Sequence, residues 1–483
     1  MSMPQRVFLV FLCVHFVVWA LLPCLKTTMH PDSLEAINWG IIGGWVNDKH
    51  PPLSGFLANL FWQIGGRTDI SIYILAQICM TITFIYVYRL GRLIFADDRR
   101  AVLSAMLLGD VLYYTMTASD QFNCNIVSVP LWAATAFYIY RGVRKGLAMD
   151  WIFAGVAIGL NMLNKYSAVF QLIGIGAYML ASGDARRQLR RPWPYVGAVI
   201  AALIFAPHAV ALWQTDFISL GYLQHNAIVE SPLLRFTEPL AFTLSLLAAA
   251  AMSILIYFLS VRGAPRPRLA KNRDAGIFLS LMIFVPFLAF IADPMIMNLK
   301  ISTMWGIPLL LLTGTALLYF WPRQITDKVF KRAAVGVFVA MAIFAAANFG
   351  KYIFNNSSRI HFEHDKFVIA LDAEWSAETD SAPLRFVRGD TWFASIISLY
   401  HSAHPRTILN IDAHYRKELN ARSLDEYGIL LVGVRREDVE NLIRPLNQNQ
   451  PILRYEYTNE NFFGRGREFE MFYVIIPPAR GLQ

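Results

Sequence analysis

Apolar residues fill most of the first 350 positions in long runs, and polar residues return after them. Eleven runs read as membrane-spanning helices: 6–25, 71–92, 101–119, 124–141, 150–164, 167–182, 194–213, 239–261, 275–292, 303–321 and 333–350. Most approach the roughly 20 residues that cross a bilayer core; 150–164 and 167–182 are short and closely joined. Positions 52–65 are also apolar, but that stretch gives only about 21 Å of helix. It reads as a helix lying at the interface, as does 32–45. The remainder alternates strand-like stretches (384–387, 407–411, 429–434, 452–457, 472–476) with helix-like ones (392–402, 437–446). That alternation predicts a small, partly parallel α/β domain. The expected fold is a polytopic α-helical membrane protein of about eleven spans over 1–350, with an elaborated loop at 27–65 and an α/β domain at 351–483.

Composition agrees. Hydrophobic residues make up 56% and charged residues 16%, against about 25% charged in soluble proteins, which excludes a soluble enzyme. The net charge of +9 is a matter of sidedness, not of nucleic-acid binding. Lys and Arg cluster at 89–100, 141–145, 186–191, 262–273 and 323–332, on alternate loops together with Arg6. The opposite loops hold only Lys26, Lys49, Arg67, Lys165, Arg235 and Lys300. The positive-inside bias puts the N-terminus in the cytoplasm, and an odd number of spans puts 351–483 outside. The first run, 7–25, shows no small-residue cleavage site and reads as an uncleaved span. Cys13, Cys24, Cys79 and Cys124 match no zinc or redox spacing and read as buried apolar thiols.

Outer-side cations run against this bias, so they and the acids near them are informative. Asp32 and Glu35 are three apart and share a helix face. Asp32 is open between a general base and an N-cap whose capping box Glu35 completes. Lys49-His50-Pro-Pro precedes the second interfacial helix and suits a phosphate at a helix start. Asp120, Asn123 and Asn125 form a dense polar hairpin that is open between sugar binding and a solvated tip. Lys165 beside Tyr166, and Lys300, are open between snorkelling and an anion receptor that takes a phosphate-bearing lipid. Arg235 is a further candidate for that face, and His208 is open between joining it and a satisfied core histidine. Asp110 lies midway along the third run. His361, Glu363, His364 and Asp365 read as a solvated juxtamembrane stretch, and no metal site is expected.

Asp32-x-x-Glu35-x-x-x-Trp39-Gly40 followed by Lys49-His50-Pro51-Pro52-Leu53 resembles the first outer loop of bacterial membrane glycosyltransferases of the protein-mannosyltransferase type. These share the C-type (GT-C) superfold with the lipid A aminoarabinose transferase and with lipopolysaccharide galacturonosyltransferases. Gln121-Phe-Asn123-Cys-Asn125, Asn164-Lys165-Tyr166-Ser, Phe205-Ala-Pro207-His208, Lys300-x-x-x-x-Trp305-Gly306-x-Pro308 and Arg385-Phe-Val-x-Gly389-Asp390 resemble later landmarks in the same order. The acids are adjacent in many members and separated here, and His50 stands where the aminoarabinose branch has Lys, which leaves the sugar open. The resemblance implies an inverting transfer from a polyprenyl-phosphate sugar, with no further cofactor and no obligatory metal. Asp32 and Glu35 are then the catalytic acids. Lys49, His50, Asp120, Asn123, Asn125, Lys165, Tyr166, His208 and Lys300 bind donor phosphate and sugar. The implied acceptor is lipid A, lipopolysaccharide core or another envelope glycan at the periplasmic face of a bacterial inner membrane. A protein hydroxyl is the alternative acceptor. A transporter or flippase of the lipid-linked sugar is the alternative class, for which inverted repeats are missing.

Overall fold

The computed structural model describes residues 1–221, 234–267, 272–297, 301–356, 360–408, 425–446 and 449–479. Two compact units emerge: Met1–Leu22, Lys49–Leu53 and Tyr73–Asn348 form the first, and Pro23–Asp48, Ser54–Ile72 and Phe349–Gln483 the second. The tail is thus grouped with most of the first long loop.

In the first unit the apolar runs become helices because residues 3.6 per turn can present one stripe to protein and another to lipid. Phe8, Phe11, His15 and Trp19 are buried on the first helix, while Leu9, Val10, Val17 and Leu21 face outward. Among the described residues seven helices are long and apolar enough to span: Met3–Leu25, Asp69–Phe95, Cys124–Lys145, Trp193–Gln214, Thr237–Ser260, Arg273–Asp293 and Asp327–Phe354. Two further helix pairs are long and apolar enough only when taken together, and each is bent, as a broken span or a re-entrant loop. Asp98–Asp110 and Leu112–Asp120 bend by 84°, and Thr303–Leu310 and Thr313–Phe320 by 50°. A break in lipid exposes backbone polar groups that must find partners. Here Ser253 Oγ donates to Leu107 O at 2.6 Å and Tyr114 OH donates to Ile307 O at 2.7 Å. The remaining two expected spans are helices Ala148–Met162 and Ala168–Ala181, of 15 and 14 residues. At about 1.5 Å per residue they fall short of a ~30 Å core.

Ala148–Met162 packs on Trp193–Gln214 through small residues four apart, the close-approach pattern of membrane helices. A Cβ on Gly155 would lie 2.2 Å from Gly197 O, and one on Gly197 would lie 2.5 Å from Trp151 O. That crossing holds the segment after the shorter helix against the C-terminal half of the longer one, where Tyr166 OH meets His208 Nε2.

In the second unit both expected loop helices form, Pro31–Ile42 and Leu53–Ile64. They cross at Gly40 and Gly55. A Cβ on Gly40 would sit 2.1 Å from Gly55 O, and Asn59 Nδ2 donates to Gly40 O at 3.1 Å. Overpacking of this kind costs typically 1–3 kcal/mol. Gly40→Ala is therefore expected to lower the thermal-unfolding midpoint of the purified protein, and an unchanged midpoint would show that the crossing tolerates a methyl. Trp45 and Ile64 stay exposed.

The tail folds around a five-stranded sheet: β1 Phe386–Gly389, β2 Arg406–Thr407, β3 Ile429–Gly433, β4 Leu453–Glu460 and β5 Gly466–Ile476. The order is β2-β1-β3-β5-β4, with β1 parallel to β2 and β3, and β5 antiparallel to β3 and β4. Every residue of β3 is buried, as a central strand covered on both faces must be. Helices Thr391–Tyr400 and Arg436–Ile443 match the sequence pattern; positions 409–411 of the second expected strand lie outside the described residues.

Three expectations are corrected. In the stretch expected to be solvated Glu363 and Asp365 are exposed, but His361 and His364 are half-buried and the helix His364–Glu378 begins there. His361 Nε2 meets Tyr352 O at 2.6 Å and the His364 ring lies 4.0 Å from Tyr400, because Phe367, Leu371 and Trp375 supply a buried helical stripe. Cys79 and Cys124 are buried, but Cys13 and Cys24 are on the surface, since they fall on the outward side of the first helix and its extension. Asp32 is not the N-cap, as the site makes clear.

Candidate functional site: a cationic cluster and an acidic cleft

The first unit gathers most of the expected donor residues. Pro51-Pro52 cannot continue a strand or a helix interior, so Lys49–Leu53 crosses as an irregular segment. It is pinned where Leu53 N–H donates to Leu163 O at 3.1 Å. That bond sets Lys49 and His50 beside the turn carrying Asn164, Lys165 and Tyr166. Lys165 is 7% exposed. Its ammonium donates to Asn125 Oδ1 and stands 5.7 Å from the centre of the Trp305 ring, a cation–π contact. Asn164 Nδ2 donates to Cys124 O at 2.7 Å and to Ser128 Oγ at 2.9 Å, locking this turn to the start of helix Cys124–Lys145. Tyr166 OH meets His208 Nε2 at 2.9 Å and Ser219 Oγ at 2.6 Å.

His50 is enclosed among these cations. Burial, then the charges of Lys165 and Lys49, push its pKa down to about 3. It is therefore neutral at physiological pH and acts as a hydrogen-bonding group, not a cation. The sign for stability follows: the unfolded chain, with an ordinary pKa near 6.5, binds the proton first, so acidification below that value destabilises the fold. Lowering the pH from 7 to 5 is expected to reduce the unfolding midpoint more in the native protein than in His50→Gln. Equal losses would contradict the shift.

Not every expected donor residue serves directly. Asn123 is the N-cap of helix Cys124–Lys145; its Oδ1 accepts from Asn125 N–H at 2.9 Å and Ile126 N–H at 3.3 Å. It positions Asn125, which the hairpin pattern alone did not separate from it. Asp120 ends the short helix Met116–Asp120, half-buried. Lys300 lies outside the described residues, and so does the side chain of Arg235. Asp110 sits at the 84° break, fully buried, with neither carboxyl oxygen hydrogen-bonded among the described residues. Trp305, only a landmark in the sequence, emerges as part of the cluster.

The second unit holds Asp32 and Glu35 on helix Pro31–Ile42. Pro31 occupies the first helical position, where its missing N–H costs nothing. The N-cap is therefore His30, whose Nδ1 accepts from Asp32 N–H at 3.2 Å. The Asp32 carboxylate is relieved of capping and is 40% exposed, with one oxygen 3.9 Å from His30 Nδ1. Glu35 borders a cleft of about 470 Å³ whose lining includes Asn38, Trp39, Asp48, Arg388 and Asp390. The cleft opens at the carboxyl ends of parallel β1 and β3, where open α/β sheets bind ligands. Asp390 caps helix Thr391–Tyr400, accepting from Trp392 N–H at 3.0 Å and Phe393 N–H at 3.1 Å. Thr407 Oγ1 donates to Asn38 Oδ1 at 3.2 Å, which fastens the first loop helix to the tail, and Tyr400 OH donates at 2.8 Å to Asp69 Oδ1, at the start of helix Asp69–Phe95. Asn38 and Arg388 escaped the sequence reading because no periodic pattern joins them. Among the described residues no group of three or more His, Cys, Asp or Glu is arranged to hold a metal ion.

Residues 49–213 match the family described as dolichyl-phosphate-mannose-protein mannosyltransferase. That segment begins at Lys49 and contains His50, Asn125, Lys165, Tyr166 and His208. No curated protein matches in sequence. In structure, the chain is similar to ArnT from Cupriavidus metallidurans bound to undecaprenyl phosphate. Identity is 13%, 98% of each chain is covered and the TM-score is 0.63. The apo form of the same protein gives 13%, 98% of each chain and 0.62. The chain thus shares the fold of this protein over nearly its whole length, and the segment that matches the mannosyltransferase family carries its cationic cluster.

Proposed function

We propose that the protein is an inverting glycosyltransferase. It moves a sugar from a polyprenyl-phosphate donor to lipid A, lipopolysaccharide core or another envelope glycan at the periplasmic face of a bacterial inner membrane. The observation that carries this reading is the Lys49, His50, Lys165 and Asn125 cluster within the matched segment. Its chemistry suits a phosphate, and the structurally similar ArnT is bound to undecaprenyl phosphate. The acceptor hydroxyl attacks the anomeric carbon as the bond to the phosphate oxygen breaks, and the polyprenyl phosphate leaves with the electron pair. Asp32 takes or orients the hydroxyl proton. Lys49, Lys165 and Lys300 offset the growing phosphate charge, and neutral His50 donates a hydrogen bond to it. Glu35, on the wall of the acidic cleft, contacts sugar hydroxyls or supports Asp32. The lysines supply the positive charge, and the reaction takes no cofactor beyond the lipid-linked donor.

The test is mass spectrometry of lipid A and core from cells with and without the gene, beside an Asp32→Asn complement. Loss of a hexose-, hexuronate- or pentose-sized increment on deletion, unrestored by the variant, supports the reading and names the sugar class. No change in any lipopolysaccharide species overturns the lipid acceptor in favour of a protein hydroxyl, to be sought by the same comparison on glycoproteins.

A further inference from the structure

At the arginine-rich end of the first unit lies a second cavity, of about 510 Å³. Its charged wall is Arg100, Arg266 and Arg323, and its rim includes Phe95, Phe258 and Trp321. No carboxylate lines it among the described residues. Arg100 is only 9% exposed, and its guanidinium donates to Arg323 O at 3.2 Å. The neighbouring acids are committed elsewhere. Asp97 Oδ1 accepts the backbone N–H of Arg100 at 2.9 Å, Asp98 pairs with Arg92, and Asp327 Oδ1 accepts from Arg99 Nε at 2.7 Å. A guanidinium this deeply buried, facing a cavity without a carboxylate, is costly unless an anion joins it.

The cavity is built, not incidental. Gln324 N–H donates to Pro265 O at 2.9 Å, holding the segments of Arg323 and Arg266 side by side. Tyr319 OH donates to Asn272 O at 2.6 Å and closes the floor. On the rim Trp321 is 55% and Phe258 44% exposed, with ring centres 6.5 Å apart. An exposed aromatic pair beside buried Arg100, half-buried Arg323 and exposed Arg266 matches a molecule with an anionic head and apolar chains, and the size suits a glycerophosphate headgroup.

We propose that this cavity is a binding site for a phosphate anion, presented by the headgroup of an anionic phospholipid. The site is separate from the transferase residues, since none of them lines it, and it needs no assumption about the transferred sugar. Basic pockets between helices at one membrane face recognise such headgroups by charge and by forked hydrogen bonds.

The test uses the full-length protein in detergent, with native mass spectrometry to count retained lipids and added cardiolipin, phosphatidylglycerol, phosphatidylcholine or inorganic phosphate as probes. The double variant Arg266→Gln/Arg323→Gln spares buried Arg100 and so the fold. Arg262→Gln, exposed nearby and outside the cavity, is the control. Cardiolipin or phosphatidylglycerol retained by the native protein and the control, and weakened about tenfold or more in the double variant, is the expected result. Competition by inorganic phosphate to the same extent upholds the phosphate site and makes the free anion its source. Equal retention by the double variant, equal retention of phosphatidylcholine, or no retention at all overturns the proposal.

Discussion

Asp32→Asn is expected to lower kcat for sugar transfer by about 10²–10⁴-fold, the usual worth of a positioned general base, and to leave the protein folded and inserted. The fold should survive because the carboxylate does not cap its helix. The cap is His30 Nδ1 accepting from the Asp32 backbone N–H, which the amide variant keeps. What is lost in stability is one negative charge in the first turn, worth about 0.3–1 kcal/mol. His30→Ala makes the reverse pattern: a lost cap costs about 0.5–2 kcal/mol, with the base still present. Turnover of purified protein on a lipid-linked donor, read beside the unfolding midpoint, separates the two. Full activity in Asp32→Asn would remove Asp32 from the chemistry.

Lys165→Met is expected to reduce kcat by about 10²–10³-fold, the loss typical when one preorganised group facing developing charge is removed. The ammonium is buried, and two of its contacts, Asn125 Oδ1 and the Trp305 ring, are neutral. An apolar side chain of similar length relieves the desolvation of that charge, so the unfolding midpoint should hold or rise. His50 gives an independent readout, because the Lys165 charge helps depress its pKa. In the variant the His50 pKa should move upward, measurable by titration of the ring resonance. Unchanged turnover would show that the cluster serves structure alone.

Much of the fold was readable from local pattern. The apolar runs correspond to spanning, bent or shortened helices, and the strands of the tail fall within a few residues of their expected places. Side-chain period is a local property, and the bilayer and the sheet both enforce it. Errors arose where local signals competed. Asp32-x-x-Glu35 resembles a capping box, but Pro31 suits the first helical position, so the helix starts two residues earlier and His30 becomes the cap. Asn123 and Asn125 look alike in one hairpin, yet one caps a helix and the other meets Lys165. The helix His364–Glu378 was hidden because its polar start masks the stripe of Phe367, Leu371 and Trp375 that follows.

By itself the sequence determined that this chain lives in a membrane, where its helices run and which of its loops are basic, because transfer free energy and helical period act on neighbouring residues. The tertiary structure decided the chemistry. His50 meets the charges of Lys165 and Lys49 where Leu53 N–H bonds Leu163 O, and Tyr166 meets His208 where glycines at 155 and 197 let two helices close. Glu35 reaches Arg388 and Asp390 only because the loop helices are built into the same compact unit as the tail sheet. Contacts between residues far apart in sequence depend on shape and on buried polar groups finding partners, and neither is written in any short window of the chain.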